Sequence, residues 1–119
     1  MNELMLEIEK LKANQIQVVG AEKQILSAKK EMEEAEKCKA IEVLKIEKEV
    51  LLNPEFKNEN QRKVAISEKL LDSVMVDNLE KNIAIRKEKI ATFQFEISCL
   101  KAEIEYSRNM IEFYKLATA

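Results

Sequence analysis

The chain has 119 residues, a length that fits one domain, and its 20 Lys+Arg against 22 Asp+Glu leave a net charge of -2 at pH 7. Ala, Glu, Lys, Leu and Arg together fill just over half of the sequence, beside one Gly and one Pro. This composition is typical of long helices or a coiled coil. It excludes a sandwich, a barrel and a Rossmann domain, because each of those folds needs many turns.

Catalytic and metal-binding chemistry is restricted by the absence of His from the sequence. Without imidazole, the chain cannot form a Ser-His-Asp or Cys-His nucleophile system or a histidine metal site. The only glycine, Gly20, cannot by itself form a phosphate-binding loop. We therefore predict a protein that is not an enzyme and has neither a cofactor nor a metal site.

The cysteines and the apolar runs indicate the compartment. Cys38 and Cys99 lie far apart without a CxxC spacing, which favours reduced thiols over a disulfide framework. No apolar run is long enough to span a membrane, and the acidic residues Glu3, Glu7 and Glu9 argue against a signal peptide. The sequence predicts a cytoplasmic protein without a membrane partner.

A first helix is predicted over residues 3–52, which contain no Pro. Apolar residues recur there every seven residues, and only Lys39 interrupts the series of a positions formed by Leu4, Leu11, Val18, Ile25, Met32 and Ile46. The matching d positions are small: Ala21, Ala28 and Ala35. A seven-residue repeat predicts left-handed supercoiling against a partner helix, and small d residues allow that helix to approach closely. Gly20 is expected to mark close packing or a slight kink, with a functional hinge as the alternative.

Residues 53–59 are predicted to form the turn. Asn53 and Pro54 end the first helix, because Pro disfavours helical geometry in the residue before it. Asn58 and Gln61 have the spacing of a helix cap. The fold class is therefore all-α: a single domain, 1–119, built as a long antiparallel helical hairpin with a second helix over 60–117.

The second helix carries an unbroken heptad repeat. Its a positions are Val76, Ile83, Ile90, Ile97, Ile104 and Ile111, and its d positions are Leu79, Arg86, Phe93, Leu100, Ser107 and Tyr114. Val64, Leu71 and Met75 precede it in a shifted register, which predicts a stutter or a break near residues 77–78. A break there would change the hairpin into a three-helix bundle, and this alternative stays open.

A second apolar face lies on the same helix, nearly opposite the a and d positions. Ile85, Cys99, Tyr106 and Phe113 occupy c positions, and Phe95, Ala102 and Leu116 occupy f positions. One face suffices for packing inside the hairpin, so the second needs another subunit, another protein or a third helix. The hairpin places this face beside residues 1–20, where Leu6, Ala13, Ile16 and Val19 also lie off the main series.

The candidate partner-binding residues are Phe95, Tyr106, Phe113, Ile85 and Leu116. One interpretation is the ordinary core of a bundle or of a homo-oligomer, with a dimer as the first expectation. The other is a surface for a different protein.

A short basic cluster suggests an alternative. Arg86, Lys87 and Lys89 are close in sequence, and the hairpin brings Lys29 and Lys30 near them. Such a cluster is a possible electrostatic contact for phosphates, and would make the protein a nucleic-acid-binding accessory. The neighbouring acids and the negative net charge favour a protein partner instead. Arg86, at a d position, also fits a polar residue that fixes the helix register or pairs with a buried acid.

Residues 53–73, NPEFKNENQRKVAISEKLLDS, carry Lys57-Asn58, Gln61-Arg62-Lys63 and Leu70-Leu71 ahead of a long coiled-coil tail. In these elements the chain resembles small helical coiled-coil accessory proteins encoded in early gene modules of tailed phages and prophages. The resemblance covers about half of the chain and brings no catalytic residues. It implies a protein of the host cell cytoplasm that binds a host or phage protein, as a modulator or inhibitor of a host defence or nuclease complex. The alternative is an accessory of phage recombination or replication.

Overall fold

The computed structural model describes residues 2–118, which form three helices: α1 (Asn2–Leu52), α2 (Glu59–Asp72) and α3 (Val74–Thr118). The described residues contain no strand. The predicted all-α class is confirmed, and so is antiparallel pairing of helices, which each of the two units described below shows.

The contacts divide the chain into two compact units. We call residues 2–28 with 88–118 the terminal unit, and Lys29–Lys87 the turn unit. The terminal unit contains the first part of α1 and most of α3. The turn unit contains the rest of both helices together with α2.

The core of the terminal unit follows the two predicted heptad series. Its buried residues are Asn14, Ala21, Ala28, Ile90, Ile97, Leu100, Ile104, Ser107 and Ile111. Every one of these lies at an a or d position. Tyr114 lies within electrostatic reach of Glu3 and Glu7, so the C-terminal end of α3 packs beside the start of α1. The two helices of this unit therefore run antiparallel.

Two polar residues interrupt the apolar core of the terminal unit. Asn14 is 8% exposed and Ser107 is 1% exposed, and both occupy d positions. A polar residue at a buried heptad position favours one register over its neighbours at a cost in stability. Ser107 lies in the predicted d series, whereas Asn14 was not predicted to be buried, because the search for apolar repeats passes over an amide.

In the turn unit, ion pairs join α1 to the other two helices. Glu31 pairs with Arg86, Lys39 with Glu80 and Glu49 with Lys69, at 2.8, 3.2 and 3.5 Å. As the α1 residue number rises, the partner's number falls, so the helices of this unit are also antiparallel. The buried core residues here are Ala35, Val50, Ala65 and Val76.

Val50 shows that the heptad repeat of α1 does not continue to its end. Counting in sevens from Ala35 places a d position at Glu49, yet Glu49 is exposed and Val50 is completely buried. A straight helix has 3.6 residues per turn, so a strict seven-residue repeat drifts around its surface. The apolar side chain nearest to the drifting seam is the one that is buried.

The turn is stabilised by side chains that bind backbone amides. Asn53 Oδ1 accepts the Glu55 N–H at 3.0 Å, directly after α1. Asn58 Oδ1 accepts the Gln61 N–H at 2.8 Å, and Gln61 Oε1 accepts the Lys57 N–H at 2.8 Å. The predicted cap at Asn58 is confirmed, and the returning bond from Gln61 goes to the residue before the cap.

The break in the second arm lies at Ser73 rather than at residues 77–78. Ser73 has an extended backbone, with φ -75° and ψ 110°, and its Oγ accepts the Val76 N–H at 3.2 Å. It thus ends α2 and caps α3 at the same time. Val64, Leu71 and Met75, which the sequence placed in a shifted apolar register, are exposed instead. The buried side of α2 is centred on Ala65.

Gly20 does not mark close packing within the chain. α1 continues through it as a regular helix, and a Cβ added at Gly20 would meet nothing within 4 Å. Glycine inside a helix is less stable than alanine by about 1 kcal/mol. The described fold therefore offers no packing reason for a glycine at this position.

Candidate protein interface

An exposed apolar surface lies on the side of α3 that faces away from the core of the terminal unit. Its large members are Phe95, Tyr106, Phe113 and Leu116, which are 72%, 61%, 60% and 77% exposed. Four of the five predicted partner-binding residues therefore lie on one helix in one unit. Aromatic rings that are left in water at this density are typical of interaction sites.

These residues belong to a second heptad seam. Together with Cys99, Ala102 and Asn109 they form the series 95, 99, 102, 106, 109, 113, 116, in which steps of four and three alternate. We call these seven residues the α3 outer face. Alternating steps of four and three keep one line of side chains directed at a supercoiled helical partner. The geometry is therefore suited to binding another helix along three heptads.

The α3 outer face is bordered by carboxylates. Glu96, Glu103, Glu105 and Glu112 occupy the positions directly beside it, and all four are exposed. Among the ion pairs of residues 2–118, none involves these four acids. The cations Lys101, Arg108 and Lys115 lie at e positions, toward the core side of α3. The surface thus combines exposed aromatic rings with a border of exposed acids that form no ion pair among residues 2–118.

The outward side of α1 in the same unit carries lysines, rather than carboxylates, beside its apolar and small residues. Lys12, Ile16, Val19, Gly20 and Lys23 line a shallow open groove there with Gln15. Ala13, Ile16, Gly20, Lys23 and Ser27 form a series with alternating steps of three and four; we call it the α1 outer face. All five residues are exposed. Ala13 and Ile16 were predicted to lie off the main apolar series, whereas Gly20 was expected to mark close packing or a slight kink, with a hinge as the alternative.

The inner and outer sides of α3 meet at its C-terminal end. The rings of Phe113 and Tyr114 have centroids 5.8 Å apart and are inclined by 67°, an edge-to-face contact. Tyr114 belongs to the core seam and is half-buried, whereas Phe113 is exposed. The contact fixes the direction of the Phe113 ring on the outer face.

Ile85, the fifth predicted partner-binding residue, belongs to the turn unit. It is 58% exposed and lies at a c position of α3. Glu88 and Thr92, which continue the outer series on its C-terminal side, are polar. Ile85 is therefore separated along the helix from the apolar part of the α3 outer face.

The basic cluster is weaker than the sequence suggested. Arg86 Nε lies 2.8 Å from Glu31 Oε2, although its N–H is not aimed well enough for a hydrogen bond, so the contact is an ion pair. Lys87 lines a groove that also contains Glu36 and Glu47. Because Arg86 is paired with an acid and Lys87 shares a groove with two acids, these positions do not form a purely basic surface.

The remaining predicted electrostatic residues are divided. Lys29 and Lys30 are exposed in the turn unit, as expected for a charge contact. Lys89 is half-buried and belongs to the terminal unit. The long aliphatic part of a lysine packs readily beside a core while its ammonium group reaches water, which is consistent with this position next to Ile90.

Over the described residues 2–118, no group of three or more His, Cys, Asp or Glu side chains is arranged to hold a metal ion. Cys38 is half-buried, Cys99 is exposed on the α3 outer face, and both are free thiols. Over the same residues, no helix has the length and apolar character needed to cross a membrane.

Comparison with protein-family models, with curated proteins and with solved structures finds no match to this chain. The functional conclusion therefore rests on the geometry of the described surfaces.

Proposed function

We propose that the protein is a non-enzymatic binding protein that attaches to another protein through the α3 outer face. The observation that carries this proposal is the second heptad seam, whose four large apolar side chains are all more than half exposed. In a monomer this seam has no structural task, because the a and d residues of α3 already form the core. Leaving such rings in water is unfavourable, and a bound helix would remove the cost.

The exposed rings supply enough area for a specific interface. A buried aromatic side chain removes about 150–250 Å² from water, and well over half of that remains available on each of the three rings. With the matching area of a partner helix, three heptads approach the roughly 1,000 Å² that a specific interface needs. Aromatic residues at the centre of such an interface usually contribute most of the binding free energy.

The resemblance to phage accessory proteins gives the proposal its concrete form. In that form the protein is made in the host cell cytoplasm and modulates or inhibits a host defence or nuclease complex by coiled-coil binding. Nucleic-acid binding through Lys29, Lys30, Arg86, Lys87 and Lys89 remains the alternative class. The Arg86–Glu31 ion pair and the half-burial of Lys89 do not favour it.

The test replaces two rings of the α3 outer face with charges, as Phe95→Lys with Tyr106→Lys. Proteins retained by the immobilised wild-type chain from the producing cell are purified, and their affinity is then measured by calorimetry. We expect the double variant to lose binding while its circular dichroism stays helical, because neither ring supports the core.

The matched control carries the same two charges at exposed polar positions of α3, as Asn82→Lys with Gln94→Lys. It should bind like the wild type. Equal affinity of both double variants would refute the proposal. Retention of nucleic acid that weakens steeply with salt, and is lost on changing Lys29 and Lys30, would establish the alternative.

A further inference from the structure

We propose that one partner of the α3 outer face is the α1 outer face of a second copy of this chain. This inference rests on the proposed function, since it uses the same surface, and it names the occupant. Three observations carry it: the match of large and small residues at equal spacing, the unused space beside Gly20 and the signs of the flanking charges.

The first property is the match of large and small residues at equal spacing. On α3, Tyr106 and Phe113 project at c positions seven residues apart. On α1, the three c positions that follow Leu6 hold Ala13, Gly20 and Ser27, also seven apart. In a coiled coil each side chain inserts into a hole formed by four residues of the facing helix. Tyr106 and Phe113 repeat at the same interval as the small α1 residues, so both rings meet this requirement at the c positions.

Gly20 supplies the second observation. It weakens α1, yet none of the residues 2–118 uses the space that it leaves, because a Cβ there would meet none of their atoms within 4 Å. The groove around it is open to solvent and bordered by Ile16 and Val19. A glycine on an outward helical surface lets another backbone or a bulky ring approach closely. An aromatic residue from a second copy fills this groove.

Charge is the third observation, and it decides which face is the partner. The α3 outer face is bordered by Glu96, Glu103, Glu105 and Glu112. The α1 outer face includes Lys23 and is bordered by Lys12, neither of which takes part in an ion pair among residues 2–118. Pairing α3 with α1 therefore joins opposite charges, whereas pairing two α3 faces would place carboxylates together.

The proposed contact between α3 of one copy and α1 of another determines the symmetry of the assembly. The two outer faces lie on opposite sides of the helix pair in the terminal unit, because each faces away from the shared core. A contact from α3 of one copy to α1 of the next leaves one face of each copy free. Such a heterologous contact produces rings if it closes and extended assemblies if it does not.

The test alters one face in each of two variants and then mixes the variants. Gly20→Leu fills the groove of the α1 face, and Tyr106→Lys with Phe113→Lys charges the α3 face. By sedimentation velocity at micromolar concentration, the wild type should associate and each variant alone should be monomeric or weakened by about tenfold or more. An equimolar mixture of the two variants should form a one-to-one complex, because each contributes one intact face.

Controls keep the test decisive if a variant fails to fold. Ala40→Leu makes the matched enlargement at an exposed α1 residue of the turn unit and should associate like the wild type. Lys12→Glu with Lys23→Glu changes the α1 face by charge alone, and association should be restored by a partner that carries Glu103→Lys and Glu105→Lys together with Gly20→Leu, which blocks the partner's own α1 face. A partner with Gly20→Leu alone should not restore it. Circular dichroism verifies that each chain remains helical.

Three outcomes would overturn the inference. A wild-type chain that stays monomeric shows that the faces do not meet. Association that survives Gly20→Leu, or a mixture of variants that forms no complex, shows that a different surface is used. None of these results contradicts the proposed function. The proposed function fails only if the Phe95 and Tyr106 double variant keeps its affinity for the purified partner protein.

Discussion

Arg86 Nε of α3 lies 2.8 Å from Glu31 Oε2 of α1, within the turn unit. The arginine stands at a d position, where its neighbours in the series are Leu79 and Phe93, and its side chain is 29% exposed. Nε is buried without a well-aligned acceptor. The ion pair thus joins two helices, but it leaves the guanidinium group of Arg86 partly desolvated. The attraction to Glu31 offsets only part of the free-energy cost of that desolvation.

We expect Arg86→Leu to stabilise the fold by about 1 kcal/mol, because leucine fits a heptad d position and removes the poorly solvated charge. Arg86→Ala should instead destabilise it by about 1 kcal/mol, since the aliphatic part of the arginine is lost without replacement. Urea unfolding of both variants provides the measurement. A lower midpoint for the leucine variant would mean that the ion pair contributes more than apolar packing at this position.

The cap at the start of α2 gives a second prediction. Asn58→Ala should lower the free energy of unfolding by about 1 kcal/mol, because the Gln61 N–H would lose its acceptor at 2.8 Å. Asn60→Ala is the control, since Asn60 is exposed and makes no side-chain hydrogen bond among the described residues. Equal midpoints for the two variants in urea would show that the cap does not contribute.

The core of α3 could be predicted from the sequence almost completely. All twelve residues of its a and d series are buried or half-buried, including the polar members Arg86 and Ser107. The exposure of Phe95, Tyr106 and Phe113 also followed from the pattern. Periodicity succeeds here because one helix face meets one partner helix over many turns.

Features that depend on a single residue were harder to predict. Ser73 breaks the second arm although serine is tolerated in helices, and only the hydroxyl bond to the Val76 N–H identifies it as a cap. Val50 replaces Glu49 in the core because the helix drifts relative to the repeat. The openness around Gly20 depends on what lies opposite α1, and a sequence pattern along one helix does not contain that information.

The break at Ser73 leads to a third prediction. Ser73→Ala should destabilise the fold by about 1 kcal/mol, since α3 loses the hydroxyl that accepts the Val76 N–H at 3.2 Å. Ser73→Asp should retain most of the stability, because a carboxylate caps the same amide and interacts favourably with the helix N-terminus. Thermal unfolding followed by circular dichroism measures both. If the alanine variant unfolds at the same temperature as the aspartate variant or at a higher one, α2 and α3 fuse into one helix in the alanine variant.

The fourth prediction concerns the phenol of Tyr114. Partial burial raises the pKa of Tyr114, and the nearby carboxylates of Glu3 and Glu7 and the phenol of Tyr106 raise it further. Burial disfavours the tyrosinate by desolvation, and the neighbouring groups disfavour it by repulsion. In a Tyr106→Phe background only Tyr114 absorbs as tyrosinate, so ultraviolet titration measures it alone. Glu3→Gln with Glu7→Gln should lower the pKa of Tyr114 toward, but not to, the usual tyrosine value, because burial remains.

The same shift predicts how stability depends on alkaline pH. Because the pKa of Tyr114 is raised in the folded chain, the unfolded chain loses this proton first as the pH rises. The folded state then binds more protons than the unfolded state, and stability falls from the usual tyrosine pKa upward until the folded phenol also ionises. Below that window Tyr114 is neutral in both states and has no effect. Tyr114→Phe should therefore weaken the decline measured by urea unfolding across alkaline pH, whereas Tyr106→Phe should change it less. An identical decline in wild type and Tyr114→Phe would show that other groups control alkaline unfolding.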